Sequence, residues 1–145
     1  MNVSTLYLDT SALLKWYLQE PYSEEFTDFI QNRPGARISS LSVTETHCTL
    51  GRLVRNREIT VAFATEVLAT FSMQSTAGYL SLLPIRDEYL MHATELIDRL
   101  KQPLRTLDAL HLAVAHASGC KEFATADKVQ SKAAKALGFK VHTFC

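Results

Sequence analysis

Four carboxylates stand where short apolar segments give way to segments of helical period. Asp9 and Asp127 each follow a strand-like apolar run, and Glu45 and Asp108 lie near the starts of helical segments. In an open parallel sheet, such junctions gather beyond the carboxyl ends of the strands. We therefore expect the four acids to share one crevice.

Carboxylates gathered in this way would repel each other and raise one or more pKa values unless a cation lay between them. Mg²⁺ and Mn²⁺ prefer oxygen ligands of this kind, and the four acids have room for one ion or two. A bound divalent ion can lower the pKa of a water molecule and neutralise charge on a phosphodiester. The pattern therefore indicates metal-dependent phosphodiester hydrolysis, with the hydroxyls of Thr10, Ser11 and Thr125 in support.

Each acid taken alone also has a structural explanation. Asp9 and Asp127 can be helix N-caps, and Glu45 and Asp108 can be first-turn acids that the helix dipole favours. Ser11 is better explained as a helix cap than as a group that orients water. The coincidence of four acids at one edge favours the metal site.

The histidines and glycines point to no other chemistry. His111 lies one turn after Asp108 but inside an apolar helix, so we expect it to be a packing residue and not a metal ligand or general base. His47, His92, His116 and His142 form no recognisable constellation. The glycines form no phosphate-binding loop, which disfavours nucleotide-dependent chemistry.

The segments that position the acids alternate between strand and helix. We predict strands over residues 6–8, 36–41, 80–85, 122–125 and 140–144, with about seven helices between and after them. Ser42 or Thr44 is expected to cap the helix that carries Glu45, and Thr106 the helix that carries Asp108. The alternation predicts one α/β domain over residues 1–145, with a mostly parallel five-stranded sheet between two helical layers.

Composition limits the class of protein. The 145 residues are 47% hydrophobic and 21% charged, which is ordinary for one globular domain and excludes a disordered chain or a disulfide scaffold. No apolar run approaches the roughly 20 residues of a membrane span, and no signal peptide begins the chain, so we expect a cytoplasmic protein without membrane contact. Cys48, Cys120 and Cys145 have no metal-site spacing and are expected to be reduced and mostly buried.

The charges balance overall but not locally. Fifteen Lys and Arg residues offset fifteen Asp and Glu residues, so the chain is not a strongly basic nucleic-acid-binding domain. Two basic regions remain: Arg52, Arg55 and Arg57, and after Asp127 the lysines Lys128, Lys132, Lys135 and Lys140. They are either solvated helix faces or contacts to nucleic-acid phosphates.

Four stretches together resemble the PIN-domain family, particularly the VapC-type toxins of bacterial toxin-antitoxin pairs. They are LYLDTSALLK at 6–15, SVTE at 42–45, LRTLDALHLA at 104–113 and FATADK at 123–128. Each motif alone is weak, but all four occur in this order at this length. The resemblance covers nearly the whole chain.

The resemblance implies a sheet ordered 3-2-1-4-5 and a Mg²⁺- or Mn²⁺-dependent endoribonuclease with RNA, for example tRNA, as substrate. The acidic quartet would be Asp9, Glu45, Asp108 and Asp127, and Thr125 matches the family's hydroxyl residue before the last acid. Family members usually form homodimers and are held inactive by a cognate antitoxin.

The antitoxin of such a pair binds in a groove near the site, which would need exposed apolar side chains. The candidates for such contacts are Trp16, Phe26, Phe29, Phe63 and Phe71. Apolar stripes of this kind are more often core, and we expect most of these residues to be core.

Two other functions remain open at this point. A non-catalytic metal-binding regulatory module would explain the acids but not the basic regions, and loss of metal-dependent RNA cleavage in Asp9→Asn would exclude it. A PIN nuclease of RNA processing or DNA repair would share the site, and a neighbouring antitoxin gene would distinguish the toxin from it.

Overall fold

The computed structural model describes residues 4–145, which form five strands and seven helices. The elements are β1 (Leu6–Leu8), α1 (Thr10–Leu14), α2 (Ser23–Ile30), β2 (Ala36–Ser39), α3 (Ser40–Arg55), α4 (Val61–Thr76), β3 (Leu80–Leu83), α5 (Asp87–Arg99), α6 (Thr106–Ala117), β4 (Glu122–Thr125), α7 (Lys128–Ala136) and β5 (Lys140–Thr143). Within this part of the chain no helix is both long and apolar enough to cross a membrane.

All five strands run parallel, in the order β3-β2-β1-β4-β5. β1 is central, and Leu8 pairs with Ala124 of β4 at the carboxyl end. Each of the first four strands leads into a helix at this edge, as expected for parallel strands joined by helical crossovers. The predicted α/β/α fold and strand order are confirmed.

Both faces of the sheet are buried at the central strand β1, and alternate residues of β1 pack on the two faces. Tyr7 packs on one side with Leu112 of α6 and Phe123 of β4, whereas Leu6 and Leu8 pack on the other side with the residues of α1 and α2. A smaller cluster lies between α3 and α4. The packed sheet therefore holds the side chains at the carboxyl ends of its strands in fixed positions.

Most of the proposed contact aromatics belong to this core, as predicted. Phe26 and Phe71 are 0% and 5% exposed, so they are not available to a partner. Trp16, Phe29 and Phe63 are partly buried and pack against the same clusters.

Two predicted element boundaries that affect the site are wrong. β2 ends at Ser39, which is already the N-cap of α3, so neither Ser42 nor Thr44 is a cap and the strand does not reach Leu41. An extended residue can end a strand and open a helix without a loop, which apolar patterning does not reveal. α6 begins at Thr106 itself, with Arg105 as N-cap and no capping bond from its side chain.

The outer strands are shorter than predicted. β3 stops at Leu83, directly before Pro84, and β5 stops at Thr143 instead of residue 144. Proline lacks the N–H that would continue a ladder. These differences lie away from the acids and do not alter the sheet order.

The prediction that the cysteines are mostly buried is wrong. Cys120 is 6% exposed, but Cys48 on the outer face of α3 and Cys145 at the last position are exposed. None of the three forms a disulfide. A thiol's apolar character favours burial, but the outward face of a helix overrides that preference.

Thiol titration should reflect this exposure. In native protein, a disulfide reagent such as DTNB should react rapidly at Cys48 and Cys145, and the Cys120 thiol should react only after denaturant is added, since burial also raises its pKa. Cys120→Ala should leave the rapid reaction of the native protein unchanged and remove the further reaction that follows addition of denaturant. Rapid reaction of all three native thiols would contradict the placement of Cys120.

Candidate active site

Asp9 is the most buried of the four acids and lies where β1 meets α1. Its side chain is held by Ser11 Oγ at 2.7 Å, by Thr125 Oγ1 at 2.6 Å and by the N–H of Ala12 at 3.0 Å. The last bond makes Asp9 the N-cap of α1. The residue is 4% exposed, and this burial raises the pKa of its carboxyl despite the nearby His111 charge and the three donors.

Ser11 is not the helix cap that its type and position suggested. It lies inside α1, and its hydroxyl donates to Asp9 and accepts the N–H of Ala126 at 2.8 Å. Thr125, fully buried, donates to Asp9 and accepts the N–H of Asp127 at 3.1 Å. The two hydroxyls therefore join the β1 and β4 ends of the sheet around one carboxylate.

Glu45 lies in the second turn of α3, so it is not the first-turn acid of the structural explanation. Its Oε1 accepts the Thr10 hydroxyl at 2.7 Å and lies 2.6 Å from Nε2 of His111. Burial opposes ionisation of Glu45, but the bond and charge of His111 and the Thr10 bond outweigh burial and lower its pKa. Glu45 is therefore held as a carboxylate.

Asp108 and Asp127 open α6 and α7. Asp108 lies 3.7 Å from Arg105 across the first turn of α6, and Asp127 caps α7 through a 2.8 Å bond from the N–H of Gln130. The Gln130 side chain donates to the backbone carbonyl of Asp108 at 2.9 Å, which ties the two helix starts together. Asp127 is thus a helix cap and Asp108 a first-turn acid, as their structural explanations predicted, and neither role prevents the side chain from binding an ion.

The charges of two other acids act on Asp108. Burial raises the pKa of Asp108 first, and the negative charges of Asp127 and Glu45 raise it further against the opposing effects of Arg105 and His111. The structure thus brings all four acids to the carboxyl edge of β1 and β4. This mutual repulsion is what a bound cation would relieve.

The carboxylates are nevertheless engaged with protein groups. Within residues 4–145, no three Asp, Glu, His or Cys side chains are placed to hold an ion as they stand. The donor set is still the all-oxygen kind that suits Mg²⁺ or Mn²⁺.

His111 is the functional candidate that sequence reasoning undervalued. It is 2% exposed, and its Nδ1 lies 2.7 Å from the hydroxyl of Tyr7 while its Nε2 contacts Glu45. It is a buried link between the β1 strand and an acid on α3. A signal was available, because a tyrosine in the middle of an apolar strand needs a hydrogen-bond partner for its hydroxyl.

A cleft of about 730 Å³ opens beside the acids and is lined by Glu45 and Asp108. Arg105 and Thr106 add polar groups, and Leu107 adds an apolar wall that is 44% exposed. The cleft thus combines carboxylates, one guanidinium and apolar surface, which could receive a polyanion with flat bases.

The fold has relatives among solved structures. They include Mycobacterium tuberculosis VapC20, a toxin that cleaves the sarcin-ricin loop (18% identity, TM-score 0.69, covering 92% of this chain and 95% of that one). Others are DNA-bound VapBC from Salmonella typhimurium (17%, 0.61, covering 99% and 100%) and FitAcB from Neisseria gonorrhoeae (17%, 0.65, covering 97% and 96%). At these identities the likeness shows the fold.

A comparison with curated proteins finds no match. The PIN domain, in contrast, matches residues 6–136, a stretch that contains all four acids and the elements that carry them. The chain therefore belongs to the PIN-domain family.

Proposed function

We propose that this PIN domain is a metal-dependent endoribonuclease that hydrolyses RNA phosphodiester bonds. The observation that carries the proposal is the convergence of Asp9, Glu45, Asp108 and Asp127 on one sheet edge, where burial first, and then the charges of Asp127 and Glu45, raise the pKa of Asp108. A purely structural set of caps would not require two acids to act on the ionisation of a third.

The four carboxylates would hold one or two Mg²⁺ or Mn²⁺ ions. When bound, such an ion would lower the pKa of a water molecule and offset charge on the scissile phosphate. Ser11 and Thr125 orient the Asp9 carboxylate, and Thr10 and His111 hold Glu45 in its ionised form. Arg105 lines the same cleft and supplies a positive charge for the RNA backbone.

The biological role that fits best is that of a cytoplasmic toxin held inactive by a cognate antitoxin, acting on an RNA such as tRNA as a homodimer. Support comes from the shared fold of VapC20, VapBC and FitAcB over nearly the full length of this chain. Expression of the wild-type chain should arrest bacterial growth, and expression of Asp9→Asn should not. Growth arrest by both would mean that toxicity does not come from this site.

Metal binding should stabilise the fold independently of any cleavage. Adding Mn²⁺ or Mg²⁺ should raise the thermal unfolding midpoint. An ion whose free concentration is 100 times its Kd adds about 2.7 kcal/mol to the free energy of unfolding. The rise should be much smaller in Asp108→Asn, which removes one carboxylate from the cluster. No rise in the wild type at millimolar Mn²⁺ would contradict an ion site here.

A cleavage assay tests the activity. Purified wild-type protein should cut total cellular RNA into discrete fragments with Mg²⁺ or Mn²⁺ and not with EDTA, and Asp108→Asn should be inactive under both conditions. If the wild type binds Mn²⁺ but cuts no RNA, the metal-binding regulatory module becomes the better explanation.

A further inference from the structure

A second cavity, of about 290 Å³, lies between α1, the start of the following loop and α3. Its polar walls include Ser11, Lys15, Thr49 and Arg52. Arg52 belongs to the basic region Arg52, Arg55 and Arg57, of which it alone lines this cavity. The cavity contains none of the four acids.

The cavity adjoins the acid cluster on two sides. Ser11 lines the cavity and donates to Asp9 at 2.7 Å, and Ala126, also in the cavity wall, precedes Asp127. On α3, Glu45, Thr49 and Arg52 stand at i, i+4 and i+7, so they share one helix face. At about 1.5 Å per residue, Arg52 lies about 10 Å along the helix from Glu45.

The cations of the cavity are incompletely paired. The Lys15 side chain is only 11% exposed, and its one ion-pair partner among residues 4–145 is Glu20, at 3.8 Å. Arg52 is exposed and, within the same residues, has no carboxylate within 4.0 Å. A lysine with a mostly buried stem and a guanidinium without a partner are well suited to an anion.

We propose that this cavity binds a backbone phosphate of the RNA strand, one or two nucleotides away from the phosphate at the acid cluster, through Arg52 and Lys15. The inference rests on the proposed function, since it assumes that RNA occupies the acid cleft. Arg52 can contact phosphate oxygens bidentately and Lys15 as a point charge. Such contacts fix the register of a strand without reading its bases.

Glu20 provides a second test of the phosphate site, because removing its charge should have the opposite effect to removing the charge of Arg52. Its carboxylate lines the cavity and contacts Lys15, so it competes with phosphate for the same ammonium. Glu20→Gln removes the competing charge and should strengthen RNA binding several-fold, whereas Arg52→Ala should weaken it. Opposite effects from two neighbouring side chains would not follow from a general loss of surface charge.

The test is fluorescence anisotropy with a labelled single-stranded RNA 15-mer of mixed sequence, in EDTA so that no cleavage occurs, across a series of KCl concentrations. Arg52→Ala should bind about tenfold more weakly and should lower the slope of log affinity against log salt by about one. Arg55→Ala is the matched control, because it makes the same change on the same helix outside the cavity. Arg52→Lys should recover part of the affinity.

Cleavage kinetics with Mn²⁺ give the second readout. Arg52→Ala should raise KM and leave kcat within about twofold of the wild type, the pattern for a contact made equally in ground and transition states. Binding and KM that are unchanged in both Arg52→Ala and Glu20→Gln would overturn the phosphate site. So would a wild type that binds no RNA.

The binding and cleavage arms separate the two proposals. A wild type that binds RNA but does not cut it contradicts the nuclease, while the anisotropy comparison still decides whether Arg52 contacts phosphate. A wild type that cuts RNA with Arg52→Ala indistinguishable from it contradicts only the phosphate site.

Discussion

Asp9→Asn should reduce RNA cleavage by more than about 100-fold while leaving the protein folded. Loss of a group that merely orients a metal ligand typically costs 10–100-fold, and Asp9 would be a ligand itself. The amide keeps the shape of the carboxylate and an oxygen that can still accept the N–H of Ala12, so the start of α1 should persist. Initial cleavage rates in Mn²⁺ and the circular dichroism spectrum check the two halves of this prediction.

The sign of the stability change distinguishes a functional acid from a structural cap. Burial raises the folded-state pKa of Asp9 above the unfolded value of about 3.9, so the ionised form costs stability at neutral pH. That cost is relieved as pH falls through the folded pKa to below the unfolded one. Asp9→Asn should therefore equal or exceed the wild-type unfolding midpoint at pH 7 without metal, and a variant that fails to fold would show that Asp9 is chiefly a cap.

His111→Ala should lower both stability and activity. It leaves the Tyr7 hydroxyl buried without its partner and opens a cavity between α6 and β1, with an expected loss of about 2–4 kcal/mol in the free energy of unfolding. It also removes the group that holds Glu45 at 2.6 Å, and cleavage should fall by about 10–100-fold. Urea denaturation and cleavage rates measure the two effects.

Two control variants separate the effect of His111 on stability from its effect on the position of Glu45. Tyr7→Phe breaks only the other end of the link, so stability should fall by about 1–2 kcal/mol with cleavage largely retained. His47→Ala, at an exposed position on α3, should change neither. If His111→Ala lowers stability but cleaves RNA at the wild-type rate, the histidine is a core residue that does not position Glu45.

Much of the fold could be predicted because local patterns and chain topology agree. Short apolar runs such as Leu6–Leu8 alternate with amphipathic segments, and a parallel sheet with helical crossovers is the arrangement that buries both. Boundaries were less accurate where no loop intervenes, as at Ser39 and Ser40, because the change from strand to helix leaves no polar or glycine signal.

The positions of Asp9, Asp108 and Asp127 could be predicted for the same reason, since each follows a strand or opens a helix at the carboxyl edge, whereas Glu45 lies in the second turn of α3. The contacts of His111 cannot be derived from α6 itself, because they are with residues distant in sequence: Tyr7 is 104 positions away and Glu45 is 66. The one sequence signal is the Tyr7 hydroxyl, which needs a partner in its apolar strand but does not say which. Within α6 alone, a histidine among apolar residues is indistinguishable from packing. The exposure of Cys48 depended in the same way on which face of α3 turns outward.

The ends of the RNA fragments distinguish metal-dependent hydrolysis at the acid cluster from cleavage that needs no metal. Fragments made by the wild type with Mn²⁺ should carry 5′-phosphate and 3′-hydroxyl ends, if water attacks the phosphorus and the 3′ oxygen leaves with a proton. None should form in EDTA or with Asp108→Asn. Fragments with 2′,3′-cyclic phosphates, formed equally in EDTA, would mean that the RNA 2′-hydroxyl is the nucleophile and that no metal site is needed.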